Sequence, residues 1–330
     1  MALFAALAGV WGSSFLFIKI GLDAGLPPFW LVSWRLLIAT AFLTVVVRWE
    51  GGRLPRSRDA IFRLVVLAAV NVAIPFLLLT WGEQYTTSAV ASIFNGLVPL
   101  FTIVIAAFIL QDEPVTLNRL AGLVIGFCGA VLLASPYFGT APGTDSTLAL
   151  VGEAAIAAAS LSYACGAVWS RHAITGRALI DDPVAGPRRP TAAEIALPQV
   201  GAAAIMTTSV ALLTEPAANV IVNAPPSLPA WFAVGWLGVL GSGVAYLLFF
   251  RIIRAWGATR STLVTYVMPV VGITLGVLVL SEQLHLAEIG GTVLILAGLV
   301  LANSRVGQRR LFGRASGRVQ MPLKVEPPTD

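Results

Sequence analysis

The sequence predicts an all-α integral membrane protein in which ten transmembrane helices form two inverted five-helix repeats. Three observations lead to this fold class. The 330-residue chain is 57% hydrophobic and only 11% charged, whereas soluble domains carry roughly 25% charged residues. Ten apolar runs approach the length that crosses a bilayer, and one stretch near the middle of the chain recurs near its end.

The ten apolar runs are predicted to be helices. Crossing an apolar core of about 30 Å takes about 20 residues in a helix. Lipid cannot satisfy an exposed backbone, and these runs lack the alternation of a barrel strand. Loops with turn residues or charges separate them. The predicted spans are Ala2–Leu22, Phe29–Val47, Ile61–Trp81, Thr86–Leu110, Asn118–Ser135, Leu148–Trp169, Ile195–Leu213, Ala230–Phe250, Trp256–Leu280 and Leu286–Asn303.

The recurring stretch is Ser92–Ser135, which returns as Thr262–Asn303. Each copy has an apolar run with a proline, a loop with a glutamate, and a glycine-rich apolar run. A repeat of this size indicates duplicated architecture. We therefore expect one repeat at residues 1–137, a second at 147–304, and a basic, disordered cytoplasmic tail at 305–330. The matched residues are Pro99 and Pro269, 170 positions apart, then Glu113 and Glu282, Gly122 and Gly291, and Gly129 and Gly298.

The distribution of basic residues predicts the orientation. With the N-terminus in the cytoplasm, all 21 Lys and Arg residues except Lys19 and Arg35 fall in cytoplasmic loops, helix ends or the tail. We expect a multi-pass protein of the plasma (inner) membrane with both termini cytoplasmic. The first run leads directly into further spans, which favours a transmembrane helix over a cleaved signal. Five spans per repeat place the second repeat upside down, an arrangement typical of secondary transporters with a midplane substrate site.

Two polar stripes are expected to face a cavity between the repeats. Their members are spaced i, i+3, i+7 and i+10, so that each stripe lies on one face of a helix. A polar face on a buried helix should point into the bundle. The alternative is helix packing through Ser and Thr hydrogen bonds. The stripes are Ser92, Asn95, Pro99 and Thr102, and Thr262, Thr265, Pro269 and Gly272.

Arg35 lies about two turns inside the second span, where an unpaired charge is costly. It could anchor a substrate carboxylate or organise an outer gate. Alternatively, it could pair structurally with a helix C-terminus or with Glu83 or Glu153. Lys19 lies nearer its helix end, and we expect it to form an ion pair with Asp23 four residues later.

Aromatic and amide side chains are expected to complete the substrate cavity. The glutamates of the repeat are expected to cap the helices that follow them, since a helix N-terminus favours negative charge. The GxxxG spacings of Gly122 and Gly272 are expected to pack helices. The predicted cavity residues are Trp11, Ser14, Arg35, Asn71, Trp81, Ser92, Asn95, Pro99, Tyr163, Tyr246, Thr262, Thr265, Tyr266 and Pro269.

Several motifs together resemble the EamA-type proteins of the drug/metabolite transporter superfamily. Trp11–Phe15 (sequence WGSSF) and Arg35 resemble the opening of that family, and the duplicated Pro, Glu and Gly block resembles the end of each of its repeats. The resemblance covers about Ala2 to Asn303. It implies ten helices around a central cavity and the transport of small metabolites, often amino acids. The chain departs from the pattern at Tyr163–Gly166 and in the long, Pro-rich loop Arg171–Glu194.

The leading hypothesis is a secondary transporter, an exporter or exchanger of small metabolites such as amino acids, working by alternating access. A multidrug or lipid-like exporter is the alternative. An intramembrane lipid-modifying enzyme or a non-transporting subunit is more remote. We expect no enzyme activity, cofactor, metal or ATP, because the sequence lacks an HExxH motif and a P-loop. We also expect no nucleic acid, because the basic residues are accounted for by topology and contact with anionic lipid. Cys128 and Cys165 are predicted to be core residues. The expected partners are a small solute and the bilayer, with the chain a monomer or homodimer.

Overall fold

The computed structural model describes most of the chain. Ser92, Glu113, Pro269, Gly272 and Glu282 lie outside the described residues. The described ranges are 2–86, 91, 94–110, 115–135, 146–182, 186–215, 227–268, 270–271, 274, 286–304 and 310–312.

The structure is predominantly helical. Helices α1 to α5 are Ala2–Asp23, Pro28–Trp49, Arg58–Gly82, Val98–Ile109 and Leu117–Ala134. Helices α6 to α10 are Ser146–Trp169, Ala192–Thr214, Leu228–Trp256, Ala258–Thr262 and Leu286–Asn303. Two short antiparallel strand pairs join β1, Val115–Thr116, to β4, Arg310–Phe312, and β2, Ile180–Asp182, to β3, Gly186–Arg188.

Six helices in the described part are long and apolar enough to cross a membrane: α1, α2, α3, α6, α7 and α8. Helices α4, α5 and α10 are apolar but shorter. Large apolar side chains on the outer surface suit contact with lipid tails, for example Phe108, which is 87% exposed. The structure thus confirms a helical, multi-pass membrane protein, and the expectation of ten spans goes beyond what these residues show.

The predicted tail is not wholly without structure. Arg310–Phe312 forms β4 and pairs with β1, directly before α5. An extended loop with unpaired backbone groups offers a template for such pairing. The expectation of disorder is therefore wrong for these three residues.

Helices α2 and α7 form one of the closest helix pairs, and a glutamate joins each end. At the start of α7, Glu194 closes a capping box with Thr191 and accepts a hydrogen bond from the backbone N–H of Arg53 at 2.6 Å. Arg188 donates to both of its carboxylate oxygens at 2.6 and 2.8 Å. These hydrogen bonds hold the pKa of the Arg188 guanidinium above its ordinary value. The loop before α3 is thereby tied to α7.

At the opposite end of this pair, Glu215 follows the last turn of α7. Its carboxylate accepts hydrogen bonds from the backbone N–H groups of Phe29 and Trp30 at 3.2 and 3.1 Å. These are orphan donors of the first turn of α2, so Glu215 caps a helix from another segment of the chain. The indole of Trp30 returns a hydrogen bond to the Glu215 carbonyl at 3.0 Å.

Glycines bring α5 and α10 together, as the GxxxG spacing of Gly122 predicts. A Cβ on Gly122 would lie 2.5 Å from the backbone nitrogen of Ala302 and 2.6 Å from the Gly298 carbonyl oxygen. Small residues permit this backbone approach. The glycine face turns Cys128 outward, so the prediction of a core cysteine there is wrong, whereas Cys165 is partly buried. The N-terminus of α5 is capped by the Thr116 hydroxyl.

We expect Gly122→Ala to lower the thermal stability of the detergent-solubilised protein, because its methyl group meets backbone atoms that cannot yield. Overpacking of this kind costs about 1–3 kcal/mol. Gly9→Ala is the matched control, since a Cβ on Gly9 of α1 meets nothing within 4 Å. Equal melting temperatures for the two variants in a thermal unfolding assay would contradict the tight α5–α10 contact.

Candidate functional site

A cavity of about 80 Å³ lies in the middle of the bundle. This is several times the roughly 10–15 Å³ that one water requires. Segments from both ends of the sequence build it: α1, α2, α3, the segment before α4, the first residue of α4, α6, α8, α9 and helical residues 264–268. The wall consists of Trp11, Ser14, Phe15, Ile18, Arg35, Asn71, Phe76, Leu79, Thr80, Asn95, Val98, Tyr163, Ala167, Tyr246, Phe249, Thr262, Val264, Thr265 and Met268.

Arg35 supplies the positive charge of the cavity and is only 3% exposed. Its Nε donates a hydrogen bond to the Ser242 hydroxyl at 3.2 Å, and its guanidinium carbon lies 4.2 Å from the ring centre of Phe76. Within the described residues it forms no ion pair with Glu83 or Glu153, although the charge of Glu83 acts on it. Its two terminal nitrogens find no protein acceptor there. The guanidinium is therefore positioned by α8 and α3, with its donor fork still open.

Three other polar atoms of the wall are buried without a hydrogen-bond partner among the described residues. They are Nδ2 of Asn71, Oδ1 of Asn95 and Oγ1 of Thr80. Buried polar groups are nearly always paired in native proteins, and an unpaired one costs about 1–3 kcal/mol. Several such atoms around one cavity indicate a site for a polar ligand.

Two π-helical segments shape the cavity, Ala69–Ala73 in α3 and Leu237–Val244 in α8. In each segment, one backbone carbonyl accepts a hydrogen bond from a side chain at the other end of the sequence. The indole of Trp11 donates to the carbonyl of Gly241 at 3.2 Å, and the hydroxyl of Tyr246 donates to the carbonyl of Asn71 at 2.9 Å. These two hydrogen bonds join the two ends of the sequence at π-helical turns. Such turns often occur at functional sites.

Aromatic rings cover much of the remaining wall. Trp11 lies 6.2 Å from Tyr246 in an edge-to-face arrangement and 5.6 Å from Phe249, between ring centres. Across the cavity, Phe76 lies 6.2 Å from Tyr163. Such pairs are rigid and add roughly 0.5–1.5 kcal/mol beyond burial. The cavity therefore combines aromatic faces with one cation and several polar groups.

The structure brings most of the predicted cavity residues together and leaves out three. Trp81 packs against Tyr85 instead, with 5.0 Å between ring centres. Pro99 is buried in the first turn of α4, and Tyr266 donates to the Leu123 carbonyl in α5 at 3.0 Å. Ser92 and Pro269 lie outside the described residues. Those in the wall are Trp11, Ser14, Arg35, Asn71, Asn95, Tyr163, Tyr246, Thr262 and Thr265.

The two polar stripes behave differently from each other. Thr262 and Thr265 line the cavity, but their hydroxyls donate to carbonyls one turn earlier, at 3.0 and 2.9 Å. Asn95 keeps Oδ1 unpaired, and its Nδ2 makes only a weak contact with the Met268 sulfur at 3.5 Å. The free hydrogen-bonding capacity of this region thus belongs to the first stripe.

Sequence reasoning missed Ser242, Phe76, Thr80 and Phe249. Ser242 is a polar residue between two glycines in an apolar run. This pattern was the one signal in the sequence that could have indicated its role beside Arg35. The others fall within long apolar spans, where no pattern distinguishes a residue that lines a cavity from one that packs.

Lys19 forms the predicted ion pair with Asp23 at 3.0 Å.

The composition of the wall suits binding. None of the described wall residues is an Asp, Glu, His or Cys, and the described part of the chain holds no group of three or more potential metal ligands. Arg35 and Asn71 offer donors, Asn95 offers an acceptor, and the aromatic rings exclude water. This arrangement can hold and orient a small polar solute within the membrane-spanning bundle.

Comparison with known proteins agrees with this architecture. The profile of the EamA-like transporter family matches residues 1–135 and 191–304. The chain is 25% identical over 308 residues to a probable terminal-alkyne amino-acid exporter of Streptantibioticus cattleyicolor, covering 93% of this chain and 94% of that protein. It is 28% identical to the uncharacterized inner membrane transporter YedA of Escherichia coli, covering 83% of this chain and 80% of the relative.

A similar protein from Archaeoglobus fulgidus, described as an uncharacterized transporter, is 24% identical over 88% of this chain and 94% of its own length. A crystal structure of a protein superposes with a TM-score of 0.73 at 20% identity, covering 92% of this chain and 95% of the other, which shows a shared fold. The relatives are named as transporters and not as enzymes. With the family profile matching most of its length, this chain belongs to the EamA-like transporter family and is a membrane transporter.

Proposed function

We propose that the protein is a secondary transporter that exports or exchanges a small, carboxylate-bearing metabolite such as an amino acid. The central cavity is its substrate site, and alternating access moves the solute across the membrane. The observation that carries this proposal is the buried, open guanidinium of Arg35 beside unpaired polar atoms.

The energetic argument starts from desolvation. A charge inside a membrane protein costs several kcal/mol or more unless it is paired. Ser242 and the ring of Phe76 compensate Arg35 only in part. A substrate carboxylate would supply two acceptors in the geometry that matches the guanidinium fork. The cavity is therefore most stable when it holds an anionic group.

The remaining polar atoms fit the other end of an amino acid. Oδ1 of Asn95 offers an acceptor to an ammonium group, and the faces of Trp11 and Tyr246 can stabilise a cation. Nδ2 of Asn71 offers a further donor to the carboxylate. The name of the Streptantibioticus relative, a probable amino-acid exporter, supports this substrate class.

A multidrug or lipid-like exporter is the second candidate. The aromatic wall would suit an amphipathic compound. The cavity volume of about 80 Å³ and the buried cation favour a small anionic or zwitterionic solute over a bulky apolar one. The two candidates differ in whether transport depends on the charge of Arg35.

The proposed mechanism rests on ten helices in two inverted repeats. The family profile matches two blocks of the chain. The offset of 170 residues between Pro99 and Pro269 also relates Asn71 to Gly241, and each of the latter pair lies in a π-helical segment at the cavity. Inverted repeats allow two similar halves to exchange roles around a fixed midplane site. The hydrogen bonds from Trp11 and Tyr246 cross between these halves, so they would have to rearrange when one half rocks against the other.

We expect the termini to be cytoplasmic in an inner membrane. A reporter fused after Arg188 should report the cytoplasm, and one fused after Asp145 should report the outside, because basic loops are retained inside. Paired enzyme reporters, one active on each side, measure both positions. The opposite assignment at both positions would invert the proposed topology, and the same side at both would contradict an odd number of spans between them.

We expect Arg35→Gln to reduce the flux of carboxylate-bearing solutes in proteoliposomes by about 10- to 100-fold. Losing a hydrogen bond to a charged group removes about 1.5–3 kcal/mol of binding. Arg35→Lys, which keeps the charge without the fork, should retain part of the flux. Size-exclusion profiles and melting temperatures control for folding. Undiminished amino-acid flux in well-folded Arg35→Gln would rule out the carboxylate anchor, and no flux of any metabolite by folded wild type would rule out the transporter proposal.

Thr80 and Thr102 provide a matched pair for the same chemical change. Both are fully buried, but Thr80 lines the cavity with its hydroxyl unpaired, whereas Thr102 is outside the wall and donates to the Val98 carbonyl at 2.7 Å. Thr80→Val should lower substrate flux several-fold without loss of stability, since removing an unpaired buried hydroxyl is not costly.

Thr102→Val should leave flux unchanged. Initial rates in proteoliposomes and thermal unfolding of both variants measure the two effects. Equal flux losses in the two variants would mean that the Thr80 hydroxyl has no special relation to the substrate.

A further inference from the structure

A second cavity, separate from the central one, lies at one end of the bundle and has a volume of about 570 Å³. It is bounded by the C-terminal ends of α4, α6 and α8 and by the start of α7. Its residues are Ile109, Leu110, Arg171, His172, Ile174, Thr175, Gly176, Arg189, Pro190, Ile195 and Arg254. It shares no wall residue with the central cavity, and the transport mechanism does not use it.

The wall of this cavity combines basic and apolar side chains. Arg171, His172, Arg189 and Arg254 contribute the basic groups, and none of the described wall residues is acidic. The large apolar side chains are Ile109, Leu110, Ile174 and Ile195. The positive-inside distribution puts this end of the bundle at the cytoplasmic face, where the leaflet surface is anionic.

Two of these arginines, Arg189 and Arg254, are available to bind an anion. Arg254 donates to the carbonyls of Phe250 at 3.2 Å and Pro190 at 3.3 Å, which fix its position without neutralising it. Neither Arg189 nor Arg254 forms a salt bridge in the described part of the chain. Arg188 is different, because Glu194 already binds its guanidinium. Arg188 is thus neutralised and stabilises the fold, whereas Arg189 and Arg254 line the cavity.

We propose that this cavity binds a phosphate-bearing anion, either the headgroup of an anionic phospholipid or a soluble phosphate. Arginine forks match the oxygens of a phosphate. Basic pockets between transmembrane helices at the cytoplasmic side are suited to lipid phosphates. The apolar side chains of the wall would contact the glycerol backbone and upper acyl chains of a lipid, and the volume of about 570 Å³ has room for a headgroup.

The test uses the full chain, purified in neutral detergent and titrated with three probes. These are dioctanoyl phosphatidylglycerol, dioctanoyl phosphatidylcholine and inorganic phosphate, each followed by thermophoresis and thermal shift. The wild type is compared with Arg189→Gln/Arg254→Gln. The matched control is Arg56→Gln/Arg58→Gln, which removes the same charge from exposed residues of the loop before α3 and the first turn of α3, outside both cavities.

We expect phosphatidylglycerol to bind saturably and phosphatidylcholine to bind much more weakly. The cavity variant should lose at least about tenfold in phosphatidylglycerol affinity, and the control variant should lose little. The same pattern with inorganic phosphate, in the absence of phosphatidylglycerol binding, would support the phosphate site and assign a soluble source.

Equal losses in the two double variants, or no saturable binding of either anion to the wild type, would overturn the proposal. If the cavity variant does not fold, Arg189→Gln and Arg254→Lys are measured singly. The first should weaken binding and the second, which keeps the charge, should weaken it less. Unchanged affinity in Arg189→Gln would then count against the site. Solute flux is measured separately, so that a failure of transport does not decide this result.

Discussion

The membrane imposes one constraint on this molecule that shapes its centre: every backbone polar group within the bundle needs a partner inside the protein. In each of the π-helical segments of α3 and α8, a backbone carbonyl accepts a hydrogen bond from a side chain of another helix. Trp11 donates to the carbonyl of Gly241, and Tyr246 donates to the carbonyl of Asn71. Because each donor comes from the opposite end of the sequence, the same bonds that satisfy the backbone also bring α1, α3 and α8 around a shared cavity.

Arg35 shows how this packing creates chemistry. A guanidinium in an apolar span would normally be compensated by a carboxylate, yet Ser242 and the Phe76 ring hold it in place here. The cavity therefore keeps a net positive character, with unpaired polar atoms of Asn71 and Asn95 in the same wall. These features fit a protein that binds a solute transiently, because a wall whose polar groups were all paired would offer the solute no free donor or acceptor.

At the ends of the helices, in contrast to Arg35 in the cavity, charged side chains are paired or exposed. Glu194 and Glu215 join the two ends of the α2–α7 pair through helix caps and, at one end, a bidentate arginine. Close contacts at glycines bring α5 and α10 together, since packing of this kind associates helices where lipid gives no hydrophobic driving force between them. The described structure thus combines firmly joined helix pairs with less regular, π-helical segments near the cavity.

Composition and apolar runs determined the helical membrane fold by themselves, since lipid leaves a chain few alternatives, and the resemblance of its motifs to a known family indicated the family. Patterning also indicated the cavity residues Arg35, Asn71 and Asn95, because a polar group in an apolar span is costly enough to stand out. Only the tertiary structure decided which of them have free atoms. Thr262 and Thr265 are turned to their own helix, Tyr266 reaches α5 instead of the cavity, and Ser242 positions Arg35 across 207 positions of sequence. Helical periodicity gives the face on which a residue lies, whereas its hydrogen-bond partner depends on which helix packs beside that face.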